Sequence, residues 1–360
     1  MLTKQMKRRS KRTPLAARRV FRLSSCMALS LAIAYGLAVP LPFMAPIFAF
    51  ILGMKPAPPM QLKALFMLLL LVVLTTSTGL ALIPMLLHYP LTGFLVVMVG
   101  LFFSNYITVI AGKALVGTFL TVGITLISAA GVASYSLAVI VTQSLALGIA
   151  IAAICQWLVY PWFPEDKVIA ELPAPNGEQN DNKTTQSNWI AIRATLIIMP
   201  AYFIALTNPT MYLAVIMKSV SLSQQGSSLH ARDAGRELLG STFMGGCFAI
   251  LFWFMLDLVT TLPMFTACML LFSLYFCSKF YQVIKSNFQP SFWQNTIVTM
   301  LILLGPAVED SANGSDVYAA FAVRMGLFIA VTLYACLAVY LLELIRYRRI
   351  ISRRKVTACE

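Results

Sequence analysis

The stretch ALFMLLLLVVLTTSTGLALIPMLL, residues 64–87, contains no charged side chain. A helix of about 20 apolar residues spans the hydrocarbon core of a bilayer, which is about 30 Å thick. Similar stretches recur along the 360-residue chain, which is 59% hydrophobic and only 11% charged. Ordinary soluble domains carry about 25% charged residues. The sequence therefore predicts an all-α polytopic membrane protein and excludes a soluble enzyme.

Twelve apolar segments of this kind can be delimited, six on each side of a polar stretch. They cover residues 23–39, 41–54, 64–87, 90–106, 113–130 and 136–160, and then 189–206, 208–222, 237–260, 263–279, 291–307 and 317–345. We therefore expect about 12 transmembrane helices. Two segments, at 41–54 and 208–221, are short, and the sequence leaves open whether they cross the membrane fully or re-enter it.

The segments divide the chain into five predicted parts. These are a basic N-terminal arm (1–22), a first six-span repeat (23–160), a linker (161–188), a second six-span repeat (189–345) and a basic tail (346–360). The linker is rich in proline, asparagine and acidic residues and lacks apolar periodicity, so we expect it to be flexible and cytoplasmic.

The net charge of +14 is concentrated at the two ends of the chain. Fifteen of the 27 lysine and arginine residues lie within residues 4–22 and 346–355. Positive flanks of membrane segments stay in the cytoplasm, so both termini are predicted to be cytoplasmic. The basic ends lack interleaved aromatic residues that could stack on bases, so we expect membrane lipids and no nucleic acid as their partner.

The charges of the connections segregate in the same way. The predicted inward connections contain or adjoin eight cations, namely Lys55, Lys63, Lys113, Lys218, Arg232, Arg236, Lys279 and Lys285. The predicted outward connections contain or adjoin the carboxylates Asp257, Glu309, Asp310 and Asp316 and no lysine or arginine. This segregation supports an even number of spans with both ends of the chain in the cytoplasm.

The two sets of six segments also resemble each other. Arg22 and Arg193 each open the first segment of a set, and Pro90 and Pro263 each open the fourth. Proline also marks the start of the second segment in both sets. Since a unit with an even number of spans keeps its orientation when duplicated, we expect two parallel repeats related by an axis along the membrane normal.

The motifs of common enzymes do not occur in the sequence. It has no phosphate-binding loop of the Gly-x4-Gly-Lys type, no Gly-x-Ser-x-Gly elbow and no His-Glu-x-x-His, and its two histidines are predicted on opposite sides of the membrane. The seven cysteines have no paired spacing. We expect no enzymatic activity, no cofactor and no metal site.

The two short segments are the first candidate for a functional site. Pro42 and Pro46 lie in one, and Pro209 and Tyr212 lie in the other. Short or broken spans at matching positions of two repeats are typical of a transport site, because freed backbone groups can line a cavity. The alternative is a pair of ordinary tilted helices that begin at proline.

Polar residues within or beside the apolar segments are the second candidate. Gln143 lies inside the sixth segment, and Arg324 lies about two turns into the last. Arg324 is predicted either to receive an anionic substrate or to pair with Asp310 or Asp316. Asp257 is an isolated carboxylate that is predicted either to carry a coupling proton or to anchor the outer end of its helix.

One further pattern carries a family resemblance. The run Arg236-Glu-Leu-Leu-Gly240-Ser-Thr242 is followed by Gly245-Gly246 and preceded by Arg193 and the break at 208–212. With these motifs the sequence resembles the fusaric acid resistance and aromatic acid exporter superfamily, which implies a multi-pass protein of the bacterial inner membrane. In the first half, Lys63 takes the place of the arginine, and residues 67–71 replace the Gly-Thr pattern. The resemblance implies efflux of small, often aromatic, organic acids, frequently beside a periplasmic adaptor of the membrane-fusion type.

These observations lead to three functional hypotheses. The first is a secondary exporter of small organic acids or related amphipathic compounds. The alternatives are an anion channel and a non-transporting envelope scaffold that docks through its basic ends and linker. Besides a small-molecule substrate and lipids, the sequence leaves open a periplasmic adaptor and a homo-oligomer as partners.

Overall fold

The computed structural model describes residues 14–55, 57–109, 114–165, 181–226, 231–312, 314 and 316–357, and every element within these ranges is helical. We number the helices in chain order: α1 Leu15–Gly36, α2 Met44–Gly53, α3 Leu62–His88, α4 Pro90–Val109, α5 (α-helical Ala114–Val122, π-helical Gly123–Ile127 and α-helical Ser128–Ala133), α6 Tyr135–Val159, α7 Asp181–Thr207, α8 Pro209–Gly226, α9 Ala231–Leu258, α10 Leu262–Phe280, α11 Pro290–Ala312 and α12 Val317–Thr357. Each predicted apolar segment corresponds to one of these helices.

Most of the helices are suited to a membrane. Within the described ranges, nine helices, α3 to α7 and α9 to α12, contain a stretch long and apolar enough to cross a bilayer. α2 and residues 212–223 of α8 are apolar but shorter. α1 carries Arg18, Arg19 and Arg22 near its start and is not among the nine. The chain is therefore a multi-pass helical membrane protein.

The side chains of α3 are distributed as expected for a helix that faces lipid. Phe66, Leu70 and Leu74 are exposed, whereas the hydroxyl-bearing Thr75 and Thr76 are buried against neighbouring helices. Both threonine hydroxyls donate hydrogen bonds to carbonyls of their own helix. In lipid, polar groups need partners inside the protein, and apolar side chains need none. The outward apolar face of α3 is therefore suited to contact with lipid.

Three boundaries differ from the prediction. α7 begins at Asp181, so residues 181–188 of the predicted linker are helical, while residues 166–180 lie outside the described part of the chain. α12 continues to Thr357, well into the predicted basic tail. α8 extends to Gly226, beyond the predicted end at residue 222, and Lys218 lies well inside it. In each case the helix is longer than the apolar run, at its start in α7 and at its end in α8 and α12.

The packing between the two sets of six helices is reciprocal. α1, the first helix of the first set, packs extensively against α10, the fourth of the second, and α7 packs likewise against α4. A polar contact accompanies each pair of helices. Ser273 Oγ lies 3.5 Å from the backbone oxygen of Ser24, to which it donates, and Asn105 Nδ2 donates to Thr195 Oγ1 at 3.3 Å. Each set therefore contributes its first helix to the fourth helix of the other.

Candidate functional site

A cavity of about 270 Å³ lies where α2, α8, α11 and α12 meet, and we call it the Arg324 cavity. Its lining is apolar on the side of the two short helices and charged on the side of α11 and α12. The lining residues are Leu41, Phe43, Met44, Leu126, Val141, Leu213, Ala214, Met217, Pro306, Glu309, Asp310 and Arg324. Cavities that bind small molecules have volumes of about 300–1,000 Å³, so this one is slightly smaller than that range.

The charged side of the cavity is formed by an ion pair between α12 and α11. The buried guanidinium of Arg324 donates through Nη1 to Asp310 Oδ2 and through Nη2 to Asp310 Oδ1, the latter at 3.3 Å. Glu309 precedes Asp310 and also lines the cavity. A guanidinium presents a planar set of N–H groups that fits a carboxylate in this two-point manner. Arg324 therefore has the partner that the sequence left as an alternative, and it faces a cavity as well.

The apolar side is built by the starts of the two short helices. Leu41, Phe43 and Met44 come from the chain that enters α2, and Leu213 and Met217 come from the first half of α8. Both helices are therefore brought to one cavity, although they are far apart in sequence.

The predicted proline and tyrosine residues lie beside this cavity without lining it. Pro42 lies in the turn before α2, Pro46 is buried within α2, and Pro209 is the first residue of α8, where a proline costs no hydrogen bond. Tyr212 is partly buried in the first turn of α8 and packs against the core. Their neighbours in the chain provide the lining.

The backbone that enters α2 is strained. Ala38 and Leu41 both have φ near 49°, in the left-handed region that costs an L-residue with a side chain about 1–2 kcal/mol. Phe43, two residues further on, lies against Gly305 of α11, where an added Cβ would come within 2.1 Å of the Phe43 ring. The entry to α2 is therefore held against α11 by close packing, which keeps Leu41 and Phe43 at the cavity.

Gln143 and Asp257, the other two predicted residues, lie elsewhere. Gln143 is exposed on the surface of α6, and Asp257 is exposed near the end of α9. Neither lines the Arg324 cavity. Among the seven predicted residues, Arg324 is the one that the structure brings to the cavity wall.

Sequence reasoning missed a buried polar cluster beside this cavity. Lys218 on α8 is fully buried, and its Nζ donates to Asn295 Oδ1 at 3.0 Å and to Thr299 Oγ1 at 2.6 Å on α11. Asn295 Nδ2 donates in turn to Ser241 Oγ on α9 at 2.6 Å. We call Lys218, Asn295, Thr299 and Ser241 the Lys218 cluster. The signal in the sequence is a lysine within eight residues of Tyr212, but only packing joins it to α11.

The glycines of the quoted motif explain how α9 comes so close to this cluster. An added Cβ at Gly245 would lie 2.7 Å from Thr299 Cβ, and one at Gly246 would lie 2.3 Å from Met325 of α12. The two glycines leave the backbone of α9 uncovered, so that α11 and α12 pack directly against it. Ser241, one turn earlier in α9, is brought within hydrogen-bonding distance of Asn295 by this contact.

A second cavity, of about 310 Å³, lies at the opposite end of the first six helices, and we call it the Arg22 cavity. Arg22, Lys55, Gln156 and Tyr160 are among its lining residues. Beside it, Arg22 donates to Glu165 Oε2 at 2.8 Å, and Arg19 pairs with the other oxygen of the same carboxylate. Glu165 therefore links the end of the first six helices to the start of α1.

A tyrosine from the second half closes the same end. Tyr281, just beyond α10, donates its hydroxyl to the backbone oxygen of Met54 at 2.9 Å. Burial is the largest cause that raises the pKa of Tyr281 above its ordinary value, so the phenol remains protonated and remains a donor at neutral pH.

In the ranges that the structure describes, no group of three His, Cys, Asp or Glu side chains could hold a metal ion.

Comparison with known proteins gives one match. Residues 19–159 match a family model described as "Protein of unknown function (DUF2955)". The match runs from α1 to the end of α6 and so covers less than half of the chain. No curated protein and no solved structure matches the chain.

Proposed function

We propose that this protein is a secondary transporter of the bacterial inner membrane that exports small organic anions, aromatic acids among them. The observation that carries the proposal is the Arg324 cavity, in which a buried arginine–carboxylate pair faces the apolar starts of two short helices. Ionisable groups inside a membrane bundle are costly and mark substrate paths. Short helices at a shared cavity are typical of transport sites.

The chemistry of the cavity suits an amphipathic anion. A substrate carboxylate can take the place of Asp310 on the Arg324 guanidinium, because both present two oxygens to the same N–H groups. The apolar body of the substrate can then lie against Leu41, Phe43 and Leu213. The small volume favours a single aromatic ring or a short aliphatic chain over a larger compound.

We further propose that the fold consists of two parallel six-helix repeats, giving 12 spans. The reciprocal packing of α1 on α10 and of α7 on α4 supports this, because equivalent contacts are expected on both sides of a two-fold axis. The close crossing of the third and fifth helices also recurs. Thr75, Thr76 and Gly79 in α3 have the spacing of Ser241, Thr242 and Gly245 in α9, and both glycines lie at this crossing.

The same proposal includes the topology and the partners. Both termini are cytoplasmic, lipid surrounds the bundle, and the Arg324 cavity then lies towards the periplasmic ends of α11 and α12. The resemblance to the fusaric acid resistance and aromatic acid exporter superfamily supports export, with a periplasmic adaptor as an accessory. Self-association of the chain is compatible with this arrangement. Enzymatic activity and nucleic acid binding are not part of it.

The test is transport of radiolabelled phthalate, an aromatic dicarboxylate that stays ionised at neutral pH and crosses lipid slowly, by the purified protein in liposomes. We expect saturable phthalate flux. Arg324→Ala should weaken phthalate binding by about 10–100-fold, since charge-assisted hydrogen bonds contribute about 1.5–3 kcal/mol.

Asp310→Asn is the matched variant. It should retain or strengthen phthalate binding, because it removes the carboxylate that competes for Arg324. Equal losses in both variants would assign the ion pair a structural role and contradict the proposal. Unsaturable flux with single-channel currents would identify an anion channel, and a wild-type protein without flux would favour a scaffold.

A further inference from the structure

Lys218 is placed between the Arg324 cavity and the interior of the second six helices. It is the tenth residue of α8 and directly follows Met217, which lines the cavity. Its side chain is fully buried, with both of its hydrogen-bond partners on α11. An amine at this position is beside the proposed substrate site without being part of its wall.

The hydrogen-bond partners of Lys218 match a neutral amine better than an ammonium. Thr299 Oγ1 donates its own proton to the backbone oxygen of Asn295 at 2.6 Å, and Asn295 Nδ2 donates to Ser241. Two acceptors, Thr299 Oγ1 and Asn295 Oδ1, therefore remain for Nζ. A neutral amine has two N–H donors, whereas an ammonium has three and carries a charge that a neutral site does not compensate.

Several ionisable groups lie on the helices around Lys218. The buried or partly buried ionisable side chains described on the helices that pack against α8 are Arg193 and Tyr202 on α7, Glu309 and Asp310 on α11, and Arg324 and Cys336 on α12, while the described part of α5 has none. None of them is hydrogen-bonded to Lys218. Arg324 is paired with Asp310, and Tyr202 contacts Ser128. Lys218 is therefore free to gain or lose its proton without breaking an ion pair.

A polar path leads from Lys218 to the far end of α9 and α11. Ser241 and Asn295 form one contact between these helices, and one turn further Ser291 Oγ donates to Glu237 Oε2 at 3.2 Å. Glu237 and Ser291 lie near the starts of α9 and α11, the ends that the charge pattern predicts to face the cytoplasm. The cavity lies at the opposite ends of these helices. Lys218 therefore has a polar route on one side and a cavity on the other.

We propose that Lys218 is the proton-binding residue that links phthalate-like anion movement to a proton gradient, a role that rests on the transport function proposed above. When the cavity is hydrated, water supplies the third acceptor and the amine binds a proton. When the cavity is closed and dry, the ammonium releases that proton to the hydroxyls and water of the polar path. The electron pair of the N–H bond stays on nitrogen, so the charge of the site falls by one.

The test compares two measurements on proteoliposomes with the membrane potential clamped. One is exchange of radiolabelled for unlabelled phthalate without a gradient, which needs no net proton movement. The other is the lumen pH change, read with a trapped dye, when phthalate is added on one side. The wild-type protein should show both.

The variants separate proton binding from structure. Lys218→Arg keeps a cation that does not release its proton. Lys218→Met with Asn295→Leu removes the amine together with the amide it would leave unpaired. We expect both to keep exchange near the wild-type rate and to lose the lumen pH change. Thr332→Val, which removes a buried hydroxyl outside the Lys218 cluster, should keep both activities.

Each outcome decides between the proposals. Variants at Lys218 that still move protons overturn the role of Lys218, and so does a wild-type protein that exchanges phthalate without a pH change. Loss of exchange together with the pH change also overturns it, because a proton-binding residue is dispensable for exchange. A wild-type protein with no exchange at all overturns the transport function itself.

Discussion

Arg324 and Lys218 are both basic residues buried among membrane helices, but their surroundings give them different chemistry. Arg324 has a carboxylate partner and remains charged, because a guanidinium does not lose its proton in proteins. Lys218 has only amide and hydroxyl partners, and an amine can exist in either protonation state. One residue is therefore suited to holding an anion and the other to exchanging a proton, which is why we assign them separate roles in transport.

Glu165 is a third charged residue whose partners decide its role, and its replacement by glutamine should destabilise the protein. Its side chain is 5% exposed and accepts hydrogen bonds from Arg19 and Arg22. Glu165→Gln leaves both guanidinium groups without a counter-charge, which should lower the free energy of unfolding by about 1–3 kcal/mol. The measurement is the thermal unfolding midpoint in detergent.

Asp316→Asn is the control for Glu165→Gln. Asp316 is exposed and accepts hydrogen bonds from the backbone of Tyr318 and Ala319 at the start of α12, a place where asparagine serves as well. Its midpoint should match the wild type. A Glu165→Gln midpoint equal to that of Asp316→Asn would mean that the link between α1 and residue 165 contributes nothing to stability.

Among the elements, α3 and α5 cross with backbone directly against backbone. An added Cβ at Gly79 would lie 2.0 Å from the backbone oxygen of Gly123, and one at Gly123 would lie 2.2 Å from that of Thr75. Gly123 is also the first residue of the π-helical turn in α5. The π turn widens α5 where α3 presses against it, and Ser128, just after it, contacts Tyr202 of α7. The crossing therefore also positions α5 against the second half.

Gly79→Ala should therefore be destabilising, since the obstacle is backbone and cannot rotate away. We expect the free energy of unfolding to fall by about 1–3 kcal/mol, the usual cost of overpacking. Gly326→Ala is the matched control, because Gly326 of α12 is also helical but has no atom within 4 Å of an added Cβ. That change should be neutral or stabilising by up to about 1 kcal/mol. Thermal midpoints of the two variants in the same detergent distinguish them, and equal midpoints would contradict the crossing.

At the scale of the whole molecule, the sequence predicted where the helices lie along the chain. It did not predict which face of each helix is buried in the protein. The bounds follow from apolar length, and the prediction of a polytopic helical membrane protein is confirmed by the nine candidate spans within the described chain. Which side of a helix is buried cannot be read in the same way, because lipid and protein core are both apolar. Gln143 was selected for its polarity within an apolar segment and Asp257 as an isolated carboxylate beside one, and both are exposed.

The burial of Lys218 was missed for a related reason. A lysine near the end of an apolar run is typical of a cytoplasmic connection. Its burial depends on Asn295 and Thr299, which lie 77 and 81 residues further along the chain. Such a partnership is a property of the fold and has no local signal. Arg324 was easier to select, because it lies within a long apolar segment. A charged side chain there is costly to bury and is therefore a candidate for function.

The reciprocal packing predicts that the two sets of six helices still assemble when they are expressed as two separate chains. It also predicts that neither set is stable alone. α1 packs against α10 and α7 against α4, so each set lacks the surface that covers its own first helix.

Residues 1–165 and 166–360, expressed together as two chains with a tag on one, should co-purify, and each expressed alone should aggregate or be degraded. Replacing Asn105 and Ser273 by leucine should weaken co-purification, because the polar contacts that accompany the α7–α4 and α1–α10 packing are then lost. A first set that is monodisperse and thermally stable by itself would show that α1 and α4 need no partner. The helices matched by the family model would then form a complete unit, and the packing of α1 on α10 and of α7 on α4 would not be needed for the fold.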